Sequence, residues 1–305
     1  MSVFDKSYRR YTGALKGRLF KIWSIATSSF RVQLVNRKIR MIMLLIFCNL
    51  PVIAFTLMVI FAAIFLPAGL GDFLFGGFGD IDVAMYTVIN FTYGDFPAPL
   101  IFLPIVFICT MNAGAIANDK KNNSLALYMA RPITRLDYVL GKAMSVYMVS
   151  SFVSVIPWLI FILSFTLLSG ITGVQFISTI WVYFSALAVG ILVIVFMGSL
   201  VLMFSSLSKQ GVLAGILGVL VLFLPSFLAS LLASEFLSAF DWLGYLSISQ
   251  LVRSAAHLIF GKPDFFGLDM FTPEINGGVS IVIMLAVSII AILITINNAY
   301  REEID

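Results

Sequence analysis

The chain has 305 residues, of which 61% are hydrophobic and only 11% are charged. Ordinary soluble domains carry roughly a quarter charged residues, so this composition excludes a soluble domain and indicates an integral membrane protein. The formal net charge of +4 comes from basic residues that lie outside the apolar runs. It therefore reflects membrane topology rather than a nucleic-acid-binding surface, and no nucleic-acid partner is expected.

The first predicted element is an amphipathic helix over residues 15–40, in which apolar side chains recur at helical spacing among basic ones. Such a segment is expected to lie in the membrane interface with its apolar side in lipid. It would serve either as a basic anchor for the first span or as a direct contact for a soluble partner. Its apolar side chains are Leu19, Ile22, Trp23, Ala26 and Phe30, and its basic ones include Lys16, Arg18, Lys21 and Arg31.

Six uncharged stretches follow that are long enough to cross a bilayer. Hydrocarbon about 30 Å thick requires about 20 apolar residues in a helix, and none of the stretches alternates in polarity as a barrel strand does. The predicted fold class is therefore all-α, a polytopic membrane protein with a single transmembrane domain over residues 1–305. The predicted spans are 41–66, 98–117, 143–169, 177–205, 212–232 and 277–297.

The basic residues lie almost entirely on one side of these spans. All of them except Arg253 and Lys262 precede span one, follow span six, or lie between spans two and three or four and five. Cytoplasmic loops carry such an excess, so both termini and the loop 118–142 are predicted to be cytoplasmic, with the protein in the cell (plasma) membrane. The charged residues before span one are not typical of a cleaved secretory signal, and we expect them in the mature protein.

Two regions are then predicted to be extracytoplasmic. Residues 67–97 are rich in Gly, Asp and Phe and are interpreted as a solvated loop anchored by aromatics, since the carboxylates lack the spacing of a calcium loop. Residues 233–276 are predicted to form short helices at the outer interface or dipping partly into it. His257 has no second histidine or thiol beside it in the sequence, so no metal site is predicted.

Within the spans, small residues indicate where helices approach one another. Gly211, Gly215 and Gly218 begin span five at a spacing that allows close contact, either inside the chain or at a dimer seam. Cys48 and Cys109 are interpreted as packing residues. The spans contain almost no ionisable side chains, which disfavours a carrier driven by an ion gradient.

The charged segment 118–142 interrupts the apolar pattern and is predicted to contain a short helix. Ser124 can cap its start, and the helix is expected to end at Arg131 because a residue before proline avoids helical geometry. Thr134 can cap the next helix, with Asp137 at the spacing of a capping box. The short helix would lie across the membrane base, tightly joined to two spans.

This segment contains Ser124-Leu125, Arg131-Pro132-Ile133-Thr134-Arg135 and Leu140-Gly141-Lys142, in that order. It resembles the first cytoplasmic loop of the permease subunits of type 2 ABC exporters. Asp119 stands where that family usually has Glu, and Asn123-Ser124 where it usually has Gly-Thr, so the subfamily and its cargo are left open.

The resemblance implies that residues 124–131 form a coupling helix that docks on a separate cytoplasmic ATPase. It also implies two copies of the chain, or one copy with a related permease. The sequence contains no Gly-x-x-x-x-Gly-Lys-Ser/Thr phosphate loop, so the chain itself is not expected to be an enzyme, and ATP and Mg²⁺ would bind to the partner. The expected ATPase-coupling residues are Asp119, Ser124, Leu125, Leu127, Tyr128, Arg131, Pro132, Arg135, Gly141 and Lys142.

A protein of another class would share many of these features. A membrane scaffold or assembly protein could also present a basic cytoplasmic loop to a soluble partner without moving a substrate. Membrane lipid is an expected partner under either interpretation. The substrate itself is not indicated by the sequence.

Overall fold

The computed structural model describes residues 17–35, 42, 45–46, 48–65, 81–93, 102–122, 124, 133–168, 174–233, 241–261 and 275–301. Within these residues the regular structure is helical, as the long uniformly apolar runs predict. The helices are α1 (Arg18–Val35), α2 (Leu50–Phe65), α3 (Ile81–Tyr93), α4 (Phe102–Asn112), α5 (Gly114–Lys121), α6 (Arg135–Ser150), α7 (Val155–Leu168), α8 (Val174–Leu207), α9 (Gly211–Ala233), a 3₁₀ helix (Asp241–Leu246), α10 (Ile248–Ile259) and α11 (Gly277–Arg301).

Among the described residues, four helical stretches are long and apolar enough to cross a membrane. They correspond to predicted spans three to six. Predicted spans one and two are described only in part, as α2 and as α4 with α5, so the count of six spans stays a prediction. The four stretches are Arg135–Leu167, Thr179–Leu207, Gly211–Leu228 and Gly277–Ala299.

The long helix α8 organises the core. It packs most extensively against α11 and also contacts α3 to α7, α9 and α10. Val193, Met197 and Val201 are fully buried along it. In contrast, α9 and α11 each keep a row of exposed apolar side chains on the outside, as expected of helices that border lipid.

The helix of predicted span two is interrupted at Ala113, between α4 and α5, and Ser205 of α8 bridges the interruption. The Ser205 hydroxyl donates to the carbonyl oxygen of Ala113 at 2.7 Å. It accepts hydrogen bonds from the backbone N–H groups of Ile116 at 2.9 Å and Ala117 at 3.1 Å. In an uninterrupted helix these three backbone groups would bond within the helix. At the interruption, one fully buried hydroxyl supplies their hydrogen bonds instead.

Replacing Ser205 by alanine should destabilise the protein by about 1 to 3 kcal/mol, because buried backbone groups lose their partner. The measurement is the Tm of the purified chain in detergent. Ser164→Ala is the matched control, since the exposed Ser164 hydroxyl bonds only within its own helix, to the carbonyl of Ile160. Equal Tm values for the two variants would contradict the role of Ser205.

The two regions predicted to be extracytoplasmic differ from one another. The prediction of a solvated loop is wrong for Ile81–Tyr93, which form α3. Residues 84–89 of this helix are buried against the rest of the bundle, because its apolar side chains outweigh the nearby Gly and Asp residues. The short helices predicted within 233–276 are present as the 3₁₀ helix and α10, and Leu251, Val252 and Ala255 of α10 face the core.

Candidate functional site

The candidate site is the place where α1, α5 and α6 meet, called here the α1–α5–α6 junction. It begins with the capping of α6. The backbone N–H of Asp137 donates to the Thr134 hydroxyl at 3.2 Å, and the N–H of Thr134 donates to the Asp137 carboxylate at 3.4 Å. The predicted capping box is confirmed. It fixes the start of α6 directly after the Arg-Pro-Ile sequence.

Asp137 also joins α6 to the amphipathic helix. Arg18 of α1 donates through Nε to Asp137 Oδ1 at 2.5 Å. The Asp137 carboxylate thus accepts hydrogen bonds from both the Arg18 guanidinium and the Thr134 backbone N–H. It can therefore cap α6 and hold α1 at once.

The middle of α1 packs against α6 at Gly141. A Cβ added to Gly141 would lie 2.8 Å from side-chain atoms of Ile25 and 3.1 Å from the carbonyl oxygen of Ile22. Ile25 and Ala26 are buried in this contact. The glycine of the Leu-Gly-Lys sequence thus allows the two helices to approach closely at this position.

This packing corrects the predicted lipid-facing side of α1. Leu19 and Trp23 are exposed, with 82% and 49% of their surface accessible, as expected for lipid contact. Ala26 is instead fully buried, and the ring of Phe30 stacks on that of Phe152 at a centroid distance of 6.3 Å. Helical spacing alone does not show that part of the apolar side is covered by α6 and by Phe152 in the turn that follows it.

An ion pair joins α5 to α6. The Lys142 ammonium lies 2.6 Å from Asp119 Oδ2, and the Tyr138 hydroxyl donates to the same oxygen at 2.7 Å. The Lys142 side chain is only 6% exposed and that of Asp119 is 17% exposed. Lys142 Nζ also lies 5.7 Å from the centroid of the buried Tyr138 ring. A largely buried lysine of this kind requires its counter-ion.

The structure brings some of the predicted ATPase-coupling residues together. Asp119, Gly141 and Lys142 belong to the junction, and the Ser124 hydroxyl donates to the carbonyl oxygen of Asp119 at 3.1 Å. Arg135 is half-buried in the first turn of α6. The remaining predicted residues lie outside the described part of the chain; they are Leu125, Leu127, Tyr128, Arg131 and Pro132.

The three glycines of α9 pack within the chain against α4 and α5. An added Cβ at Gly211 would lie 3.2 Å from Gly114 Cα, at Gly215 3.3 Å from Ala113 Cβ, and at Gly218 2.9 Å from Cys109 Sγ. Cys109 therefore packs at this contact, and the Cys48 thiol donates to the carbonyl of Leu103 at 3.1 Å. The glycine contacts hold α4 and α5, and with them Asp119, against α9.

The sequence does not assign two members of the site to these roles. Arg18 is predicted only as a basic residue of an interfacial helix, and Tyr138 is not singled out; nor is Ser205 of α8, which supports the start of α5. For Asp137 the capping spacing was a usable signal. The partners of Arg18 and Tyr138 are distant in sequence and carry no local pattern.

The fold and the junction define an all-helical membrane protein in which an amphipathic helix is attached by charge and close packing to the start of a spanning helix. No family model matches the chain, and no curated protein matches it.

Proposed function

We propose that the chain is the membrane-spanning permease subunit of an ABC exporter, coupling ATP hydrolysis by a separate cytoplasmic ATPase to substrate movement. The observation that supports this most is the position of Gly141 and Lys142. These residues of the Leu-Gly-Lys sequence hold α1 and α5 against α6, just beyond the Arg-Pro-Ile-Thr-Arg sequence. Six spans, cytoplasmic termini and a homodimeric or heterodimeric assembly in the cell membrane belong to the same proposal.

The proposed mechanism uses the junction as a mechanical connection. Closure of two ATPase subunits around ATP would displace residues 124–131. Arg135 and the capped first turn of α6 would move with them, α1 would follow through Asp137 and Gly141, and α5 would follow through the Asp119–Lys142 pair. Three helices that move as one unit would then rearrange the spans around the substrate.

The test is co-expression of the chain with a candidate ABC ATPase subunit. Leu127→Asp and Arg131→Glu should each weaken copurification or stimulated ATP hydrolysis by about tenfold or more, as expected for central interface residues. The matched controls are Leu207→Asp and Lys209→Glu, which introduce the same acidic side chains at exposed positions between the end of α8 and the start of α9. These controls should behave like the wild type.

The membrane scaffold is the outcome that would replace this proposal. In that case the wild-type chain would copurify with a soluble partner, but no ATP hydrolysis would be stimulated and no substrate would enter vesicles. If Leu127→Asp and Arg131→Glu assemble and stimulate hydrolysis like the wild type, residues 124–131 are not the coupling element.

A further inference from the structure

A cleft of about 290 Å³ opens between α1, α4, α5 and α6, at the polar end of the bundle. Its volume is close to the lower limit of small-molecule sites, roughly 300 to 1,000 Å³. The lining combines polar and charged groups with an apolar edge. The polar and charged side chains are Ser29, Gln33, Asn118, Asp119 and Lys142, and Val32 lies on the apolar side.

Two polar groups on the α1 wall of the cleft have no hydrogen-bond partner among the residues that the structure describes. Ser29 is 7% exposed, and among the described residues neither its Oγ nor the Oε1 of Gln33 has a hydrogen-bond partner. A buried polar atom without a partner costs about 1 to 3 kcal/mol, so such atoms usually mark a bound water or ligand. Both belong to side chains that line the cleft.

The opposite wall carries both signs of charge. Lys142 and Asp119 form their ion pair there, so the wall is close to neutral as a whole. A small free anion gains little from a lysine that already has a counter-ion. A ligand that also makes apolar contacts gains more binding free energy. Val32 at the edge of the cleft is 60% exposed, and other apolar side chains of α1 are exposed as well.

We propose that this cleft binds the phosphate-bearing headgroup of a membrane phospholipid. The headgroup phosphate accepts a hydrogen bond from the Ser29 hydroxyl and faces the Lys142 side, the headgroup ammonium donates to Gln33 Oε1, and an acyl chain follows the apolar edge at Val32. A lipid held there lies between α1 and α5, and it fills the space that protein atoms leave at the junction. This inference stands independently of the proposed transport function.

The test is the number of phospholipid molecules that the full chain retains in detergent, counted by native mass spectrometry after incubation with phosphatidylethanolamine. The wild type should retain about one molecule per chain, and Ser29→Leu should lower retention about threefold or more by filling the cleft and removing a hydrogen bond. Ser24→Leu, an exposed position on the same helix, is the matched control and should retain lipid like the wild type. Equal retention by Ser29→Leu and Ser24→Leu would overturn the proposal.

Two further comparisons identify the ligand chemistry. Diacylglycerol with the same acyl chains lacks the phosphate and should not be retained. Retention equal to that of the phospholipid would show that apolar contacts alone hold the lipid and would contradict headgroup binding. Millimolar inorganic phosphate should not displace the lipid; full displacement would indicate a free-anion site and contradict the lipid assignment. If Ser29→Leu lowers helicity by circular dichroism, Gln33→Met, which keeps side-chain length, takes its place with the same expected loss.

Discussion

Replacing Lys142 by methionine is expected to lower the free energy of unfolding by about 3 kcal/mol, because the change leaves a largely buried carboxylate without its counter-ion. The Asp119 side chain is 17% exposed and cannot regain full hydration in place. Tyr138 would keep its hydrogen bond to Asp119 but supplies no positive charge. The measurement is unfolding of the purified chain in mixed micelles, followed by circular dichroism.

A double-mutant cycle separates the ion pair from the packing of the lysine stem. The combined Asp119→Asn and Lys142→Met variant should recover most of the lost stability, because replacing both members of a buried pair is often close to neutral. Lys121→Met, at an exposed lysine at the end of α5, should change stability little. If the double variant is as unstable as Lys142→Met alone, the lysine stabilises the junction by packing and not by charge.

The start of α6 was predictable from sequence because its determinants are local. Thr134 and Asp137 are three residues apart, and the capping box they form depends only on that spacing and on their side chains. The long apolar helices were predictable for the same reason, since length and composition decide them.

The junction was not predictable because its contacts join distant segments. Arg18 and Asp137 are 119 positions apart, and Asp119 and Tyr138 are 19 apart. Helical periodicity indicated that α1 is amphipathic, but it could not show that Ala26 and Phe30 contact the protein rather than lipid. Nor does the chemistry of a basic residue show which acid it meets.

The error at α3 has a different physical origin. Gly and Asp residues on both sides of this segment are typical of turns, and they suggested a solvated loop across the whole region. Met85, Val88 and Ile89 nevertheless supply enough apolar surface to stabilise a buried helix, and each is 0% exposed. Burial against the neighbouring helices outweighs the local turn preference.

Replacing Gly141 by leucine is expected to separate α1 from α6 and to destabilise the protein by about 2 kcal/mol through overpacking. The new side chain would need space that Ile25 and the backbone of Ile22 now occupy. Spin labels introduced through Ser24→Cys and Met144→Cys, both at exposed positions, report the distance between the helices. In the otherwise wild-type chain the distance distribution should be narrow, and in Gly141→Leu it should become broad and shift to longer values.

Gly17→Leu is the matched control, because a Cβ added at Gly17 meets no atom within 4 Å. It should leave the distance distribution unchanged although it makes the same substitution beside the same helix. Unchanged distances in Gly141→Leu would mean that α1 is held by the Arg18–Asp137 pair rather than by close packing. If the distances do change while an ATPase still binds and its stimulation is lost, the result would assign Gly141 to transmission between α1 and α6 rather than to ATPase docking.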